Sequence, residues 1–445
     1  MGVAGGEEYD LLQARRSQAQ PHNDAWIRAR AEDDDILAEF HLPGVEALRR
    51  EEMWPMVHDD NFHTALVTGC AGSGKTTVAV YRLVRLNNQG DKVRLLTFQN
   101  MLVVFIKNLV VNNSDQAVDI QRPVPLDRIS TFHDWFHNQR RMRFNVDSPP
   151  PLATIRAAFE QRGFKPRMPV ELLVDEGQDL PLWVYQVLPD YYARMVVGAD
   201  PAQQVHDYPP DHVDQIKTCL EAPENAPFLP RPLGHNFRNT YETYCFARQF
   251  LPREEFEEVW HPNIVNRLLQ RNRHGHKPTV ISYANPQQRN DHMQRVLRDA
   301  TGIVGILCPI GPATKERFSG ESVGTTHKLL ASWGISATPY HADLTVPAKL
   351  KRYIVTTFKS AKGLEFDTVV IPRMNFYRDP ETDSKTTIRE EMYVACTRAK
   401  SRLYVYRDLT IPQYDPIGSF DPTTYEGPDG QVTPEDNPAG TTRTL

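Results

Sequence analysis

Long apolar runs are missing from this sequence. The longest candidate, around residues 101–111, is interrupted by Lys107 and Asn108. It reads as a core helix, because a bilayer span needs about 20 consecutive apolar residues. No basic-then-apolar leader opens the chain, and with no span expected either, no membrane role is predicted. Paired cysteines are lacking too. Cys70, Cys219, Cys245, Cys308 and Cys396 show neither close pairing nor metal-ligand spacing, which argues against a disulfide framework or a zinc module and fits a reducing cytoplasm. Nor is there a surplus of basic charge. With 51 Lys and Arg against 56 Asp and Glu the net charge is -5, so composition is neutral on polyanionic partners. No short-period repeat is visible.

What is present is a chain of 445 residues, 40% apolar and 24% charged, which is ordinary globular composition at a length that favours two cores over one. Residues 1–60 are polar, carry an acidic cluster at Glu32–Asp35, and read as a helical extension with a disordered start. From His63 onward short apolar runs alternate with helical patterns. Strands are predicted at Thr64–Thr68, Lys92–Thr97, Arg128–Thr131, Val170–Val174 and Arg194–Gly198. The second half repeats the plan at Thr279–Tyr283, Ile303–Cys308, Ile335–Tyr340, Tyr353–Thr356, Thr368–Ile371 and Arg402–Tyr406. Such alternation predicts an α/β fold of parallel sheets covered by helices. From Thr410 onward Pro, Thr, Gly and Asp dominate, and residues 410–445 read as a disordered tail.

Two motifs carry chemistry. The segment GCAGSGKTT from Gly69 matches G-x-x-x-x-G-K-[ST], with an apolar strand before it and a helical pattern, Lys75–Asn88 closed by Gly90, after it. Gly69, Gly72, Ser73 and Gly74 would wrap a phosphate with backbone N–H groups at a helix N-terminus. Lys75 would reach the terminal phosphates, and Thr76, followed by Thr77, would offer its hydroxyl to Mg²⁺. The second motif is ELLVDEGQD, residues 171–179. A strand ending in two acids is, read alone, commonly a solvated strand end. Beside a phosphate loop it places Asp175 to hold Mg²⁺ and Glu176 to deprotonate the attacking water. ATP and Mg²⁺ are the expected ligands.

In the order and wording of its motifs the chain resembles the UvrD/Rep-like branch of the superfamily 1 helicases from about Leu66 to Tyr406. LLTFQN at Leu95 is similar to the family's T-F-T-N segment, and STFHDWF at Ser130 to its T-F-H motif. GADPAQQ at Gly198 resembles G-D-x-x-Q. LGHNFRNT at Leu233 resembles L-x-x-N-Y-R, TTFKSAKGLEFDTVVIP at Thr356 resembles T-x-H-x-x-K-G-L-E-F, and EEMYVACTRAK at Glu390 resembles Y-V-A-x-T-R-A. The resemblance implies two tandem RecA-like lobes, residues 61–230 and 231–409, with the ATP site in the cleft. It implies that Arg238 and Arg398 act as arginine fingers, worth roughly 10³–10⁵ in rate, that Gln203 and Gln178 relay between phosphate and lobes, and that Glu365, next to Gly363, reaches the ribose. On its terms single-stranded nucleic acid runs past Thr97, Phe98, Thr131, Phe132, His133, Asn236, Thr357 and Lys359, with aromatic stacking tolerant of base identity. Phe132, Trp135 and Phe136 could instead be buried helix-face residues, and the spacing of Trp135 and Phe136 fits that as much as a stacking platform. The basic clusters Arg140–Arg143, Arg271–Lys277 and Lys349–Arg352 read by default as solvated surface.

The chain also departs from the family. No Gln lies between Gln20 and Gln89 to read an adenine edge ahead of the phosphate loop, Lys359 stands where the family has His, and Gly177 replaces an often aromatic residue. Only about forty residues separate Phe132 from Leu172 and little more than a dozen separate Tyr340 from Ile354, too few for the accessory subdomains of full-size relatives. The chain therefore reads as a compact member, and strand separation is less expected than ATP hydrolysis. The expected function is an ATP-dependent translocase or helicase on single-stranded DNA, with RNA still open. The alternative is an ATPase subunit that senses DNA and regulates a partner nuclease, as in anti-phage defence. A structural module with dead chemistry is disfavoured because each ATP-facing residue is present.

Overall fold

The computed structural model describes residue 48 and residues 53–112, 122–204, 211–309, 322–341, 350–374, 385–410 and 416–427. The sequence readings placed on residues 1–47, 49–52, 411–415 and 428–445, and on Lys349, lie outside these. The chain divides into two compact units. One comprises Met1–Gly69, Gly74–Pro201 and Tyr208–Leu233; the other comprises Cys70–Ser73, Ala202–Asp207 and Gly234–Leu445.

The first unit is built on a six-stranded sheet, β1 (Thr64–Gly69), β2 (Lys92–Thr97), β3 (Ile129–Thr131), β4 (Met168–Val174), β5 (Tyr192–Ala199) and β6 (Phe228–Leu233), in the order β3-β2-β4-β5-β1-β6. Every pairing is parallel. Parallel sheets are covered on both faces, so their strands read as continuous apolar runs; Leu172, Leu173 and Val174 of β4 are all buried. The helix after the phosphate loop, Lys75–Gln89, ends at Gly90 in the left-handed conformation (φ 85°), with the Gly90 N–H on the last turn's carbonyls. Strand β6 was not foreseen. Its sequence, FLPRPL, carries two prolines, and it lies at the sheet edge, paired to β1 alone, where missing N–H donors are tolerated.

Between β3 and β4 the chain forms a short helical segment, Phe132–Asp134 running on into Trp135–Gln139, and the helix Leu152–Gln161. Phe132, Trp135, Phe136, Phe159, Phe164 and Trp183 pack into one aromatic cluster there, with Phe132 stacked on Phe136 at 5.6 Å and edge-on to Trp183 at 5.8 Å between centroids. This segment belongs to the core of the unit and makes no separate subdomain. On the opposite side, Arg82 ties the chain before β1 to the sheet. Its guanidinium is fully buried and bonds the Glu171 carboxylate, Asp60 (2.7 Å) and the carbonyls of Met56, Val57 and Asp59. Glu171 is shared with Arg194 at 2.6 Å.

The second unit carries β7 (Thr279–Tyr283), β8 (Val304–Cys308), β9 (Ala337–Tyr340), β10 (Tyr353–Thr357), β11 (Phe366–Ile371) and β12 (Ala399–Asp408) in the order β7-β12-β11-β8-β10-β9, again all parallel. β8, VGILC, is buried along its whole length. The helices Pro286–Asp299 and Val323–Ser332 begin with side-chain caps from Asn285 and Ser322. Two parallel sheets covered by helices give the expected two-lobe α/β fold.

The reading of residues 410–445 as a disordered tail is corrected for residues 416–427. Ile417, Phe420 and Tyr425 are buried, Phe420 meeting Phe250 at 4.7 Å, and Glu426 O accepts the Val280 N–H to extend the edge at β7. Three apolar anchors among prolines and threonines suffice to hold this stretch. No described helix is long and apolar enough to cross a membrane.

Candidate nucleotide site

Strands β4, β5 and β1 are neighbours in the first sheet, so their carboxyl ends lie about 5 Å apart. Those ends deliver Asp175, Asp200 and the phosphate loop to one place, the usual position for a ligand on an open parallel sheet. The loop needs its glycines: Gly72 and Gly74 both have positive φ, 73° and 96°. The Ser73 hydroxyl is buried and has no hydrogen-bond partner, the condition of a donor that serves a ligand. Lys75 is buried, donates from Nζ to Gly69 O at 2.7 Å and lies 3.6 Å from Asp200 Oδ2. Thr76 donates from Oγ1 to Asp175 Oδ2 at 2.6 Å across nearly a hundred residues of sequence.

Asp175 is buried, and loss of solvent, reinforced by the charge of Glu176, pushes its carboxyl up to about 6. A β-carbon at Gly198 would come within 3.3 Å of Asp175 Oδ1, so the floor below the carboxylate is closely fitted. A buried pair of acids beside a threonine hydroxyl is a hard-oxygen donor set, and it fits Mg²⁺. Glu176 holds a left-handed backbone, φ 56° and ψ 43°, which non-glycine residues adopt at a cost and retain mostly at functional sites. Its carboxylate accepts from Gln178 Nε2 at 2.7 Å, and Gln178 Oε1 accepts the Asp200 N–H at 3.1 Å. Gln178 thus orients Glu176 within this unit.

A second cluster is internal to the second unit. Arg398 is buried, donates from Nε to Val394 O at 2.9 Å and from Nη2 to Gln203 Oε1 at 2.8 Å. The Gln203 carbonyl accepts from the buried Lys362 at 2.5 Å. Arg238 pairs with Glu365 at 2.8 Å and reaches Thr397 O at 3.5 Å. Burial alone would raise the Glu365 carboxyl, but the adjacent Arg238 outweighs it and holds the group below the ordinary glutamate value. Glu365 follows Gly363, which turns with φ 79°. Asn239 fastens the Arg238 and Arg398 motifs together, donating to Thr397 O at 3.1 Å and Ala399 O at 2.7 Å. Gly72 clusters here too: its carbonyl accepts the Phe237 N–H, and a β-carbon on it would strike Arg238 Cβ at 2.6 Å.

The residues read as a nucleic-acid track fare unequally. Phe132 is fully buried in the aromatic core, so its assignment as a stacking base platform is corrected; Trp135 and Phe136 are buried beside it. Asn236 is also buried, and its Oδ1 accepts the N–H groups of Arg238 and Asn239, so it organises its own loop. Thr131 caps the turn at Asp134 N–H, and Thr357 accepts from Ser360 N–H. The Thr97 hydroxyl is buried and without a hydrogen-bond partner. Accessible surface remains on Phe98 and His133, edge-to-face at 5.5 Å, and on Lys359, which pairs with Glu391 at 3.3 Å. Burial lowers the His133 imidazole's affinity for protons, so at neutral pH it serves as a neutral ring. The basic clusters are partly structural: Arg140 lies over Phe164, Arg271 over Phe237, and Arg352 donates to Gly302 O.

Asp200, Lys362 and Asn239 were not assigned roles from sequence. All three sit inside quoted motifs, GADPAQQ, KGLEF and NFRNT, which was the available signal.

Residues 342–408 match the model of the UvrD-like helicase C-terminal domain. The RecB subunit of the RecBCD enzyme from Chlamydia pneumoniae is 45% identical over 83 residues, a match that spans 18% of this chain and 8% of that relative. Among solved structures, the Saccharomyces cerevisiae Dbp5 complex with RNA and ADP BeF3 is 11% identical over 84% of this chain and 87% of that one, with a TM-score of 0.45. The arterivirus nonstructural protein 10 helicase with DNA is 15% identical over 83% and 65%, at 0.35. The chain resembles the superfamily 1 helicases of the UvrD/Rep-like branch, in a compact form.

Proposed function

We propose that this protein is an ATP hydrolase that couples turnover to movement along single-stranded nucleic acid, with DNA as the substrate. The observation that carries the reading is the convergence of Lys75, Thr76, Asp175 and Glu176 at the carboxyl ends of β1 and β4. A backbone loop with glycines at positive φ, a buried lysine and an unsatisfied Ser73 hydroxyl suit a polyphosphate. Lys75 would exchange its contacts with Gly69 O and Asp200 for phosphate oxygens. Thr76 and Asp175 would hold Mg²⁺, which neutralises phosphate charge when bound. Glu176, aimed by Gln178, would accept the proton of the attacking water.

The resemblance assigns Arg238 and Arg398 to the charge that develops on the transferred phosphoryl group. Arg238 is paired with Glu365, and Arg398 is held by Val394 O, Gln203 Oε1 and Thr397 Oγ1; on this reading each would exchange a contact for phosphate oxygen during turnover. Among the described residues read as a nucleic-acid track, Phe98, His133 and Lys359 keep accessible surface and are proposed to meet the strand.

The test is ATP hydrolysis by the purified chain alone and with single-stranded DNA, duplex DNA with ends and single-stranded RNA. Stimulation greatest with single-stranded DNA supports the reading. Greater stimulation by RNA would move the substrate, and no hydrolysis under any condition would overturn the proposal.

A further inference from the structure

The turn that carries Glu176 is held from outside the motif. Glu176 sits at φ 56°, and the next residue, Gly177, has no room for a side chain: a β-carbon would lie 2.6 Å from Val197 Cγ1 and 2.8 Å from the Tyr185 hydroxyl. Tyr185 is fully buried on the helix Trp183–Val187 and donates its hydroxyl to Gly177 O at 2.5 Å. That carbonyl belongs to the peptide joining Gly177 to Gln178. The direction of Gln178, whose amide holds the Glu176 carboxylate at 2.7 Å, therefore depends on the same peptide plane.

We infer that Tyr185 is a positioning residue for Glu176, acting through the Gly177–Gln178 peptide. The inference rests on the reading of Glu176 as the group that activates water. It also accounts for glycine at 177. The space that a larger side chain would fill is taken by the tyrosine hydroxyl, and the hydroxyl does the holding. Gly177 O also accepts the Leu180 N–H at 3.1 Å, so removing the tyrosine hydroxyl leaves no carbonyl without a donor. The loss should appear in geometry more than in stability.

The experiment compares Tyr185→Phe with Tyr191→Phe, a buried tyrosine of the same unit whose hydroxyl donates to Arg156 O, away from the site. Tyr185→Phe should lower kcat for ATP about tenfold, as small misplacements of a reacting group do, while the Kd of a fluorescent ATP analogue and the melting temperature stay with those of Tyr191→Phe. Tyr191→Phe should keep wild-type turnover. In a Glu176→Gln background, Tyr185→Phe should cause no further loss, because the group being aimed is gone. Gly177→Ala displaces the same turn by driving a β-carbon against Val197 Cγ1 and the Tyr185 hydroxyl and should give the same kcat-selective loss, which keeps the test intact if Tyr185→Phe does not fold. Equal turnover in Tyr185→Phe and Tyr191→Phe would overturn the inference while leaving the ATPase reading in place. Absence of hydrolysis in the wild type would remove that reading, and the inference with it.

Discussion

The two sheets present their chemistry at opposite edges. In the first unit the reactive groups stand at the carboxyl ends of β1, β4 and β5, where Lys75, Asp175, Glu176 and Asp200 form one buried network. In the second, Glu365 and Arg398 immediately precede β11 and β12, at the amino ends, and Arg238 is fastened beside them by Asn239. The first set is acidic apart from one lysine; the second is cationic apart from Glu365. On the proposed reading the first grips a phosphate chain with its metal, and the second adds positive charge during reaction. On that reading, loss of binding should be confined to the first unit, whereas removing the second unit's arginines should cost rate alone.

Lys75→Ala should show the largest effect, reducing ATP hydrolysis to background with a melting temperature near wild type. Retained turnover would break the comparison at its first term. Arg398→Ala should leave the Kd for ATP within a few-fold and reduce kcat by about 10³; a parallel loss of affinity would merge the two roles. Glu176→Gln should bind ATP normally and turn over about 10²-fold more slowly, measured under single-turnover conditions. Away from both sites, Arg82→Met should destabilise the first unit by about 3 kcal/mol, since Glu171 keeps only Arg194 as its charged partner. Chemical denaturation checks this, and an unchanged midpoint would show the network to be idle. Phe132→Leu is the smallest case: about 1 kcal/mol of stability and no change in single-stranded DNA affinity. A specific loss of affinity would restore Phe132 to the track.

Much of the fold was legible because buried parallel strands are apolar on both faces and end abruptly at glycines, acids or threonines. The β2 and β7 runs are found at the predicted residues, Lys92–Thr97 and Thr279–Tyr283. β6 was illegible because Pro230 and Pro232 imitate a loop, and only its place at the edge makes them acceptable. At the site, motif spacing brought out Lys75, Thr76 and Asp175. It did not reveal the left-handed Glu176 or its dependence on Tyr185, which arrive through backbone conformation and a contact with a separate helix. For Phe132, its spacing with Trp135 and Phe136, three and four residues on, already described one face of a helix. That periodicity outweighs the motif's wording once the aromatic core forms.

The claim at the centre of this account is that the carboxyl edge of the first sheet is the ATP site. Its most direct test is a paired titration of ATP binding and turnover with single-stranded DNA present, on the wild-type chain and on Lys75→Ala. The account predicts binding and DNA-stimulated hydrolysis in the wild type and neither in the variant, with both proteins equally folded. Equal binding and turnover in the two would contradict it.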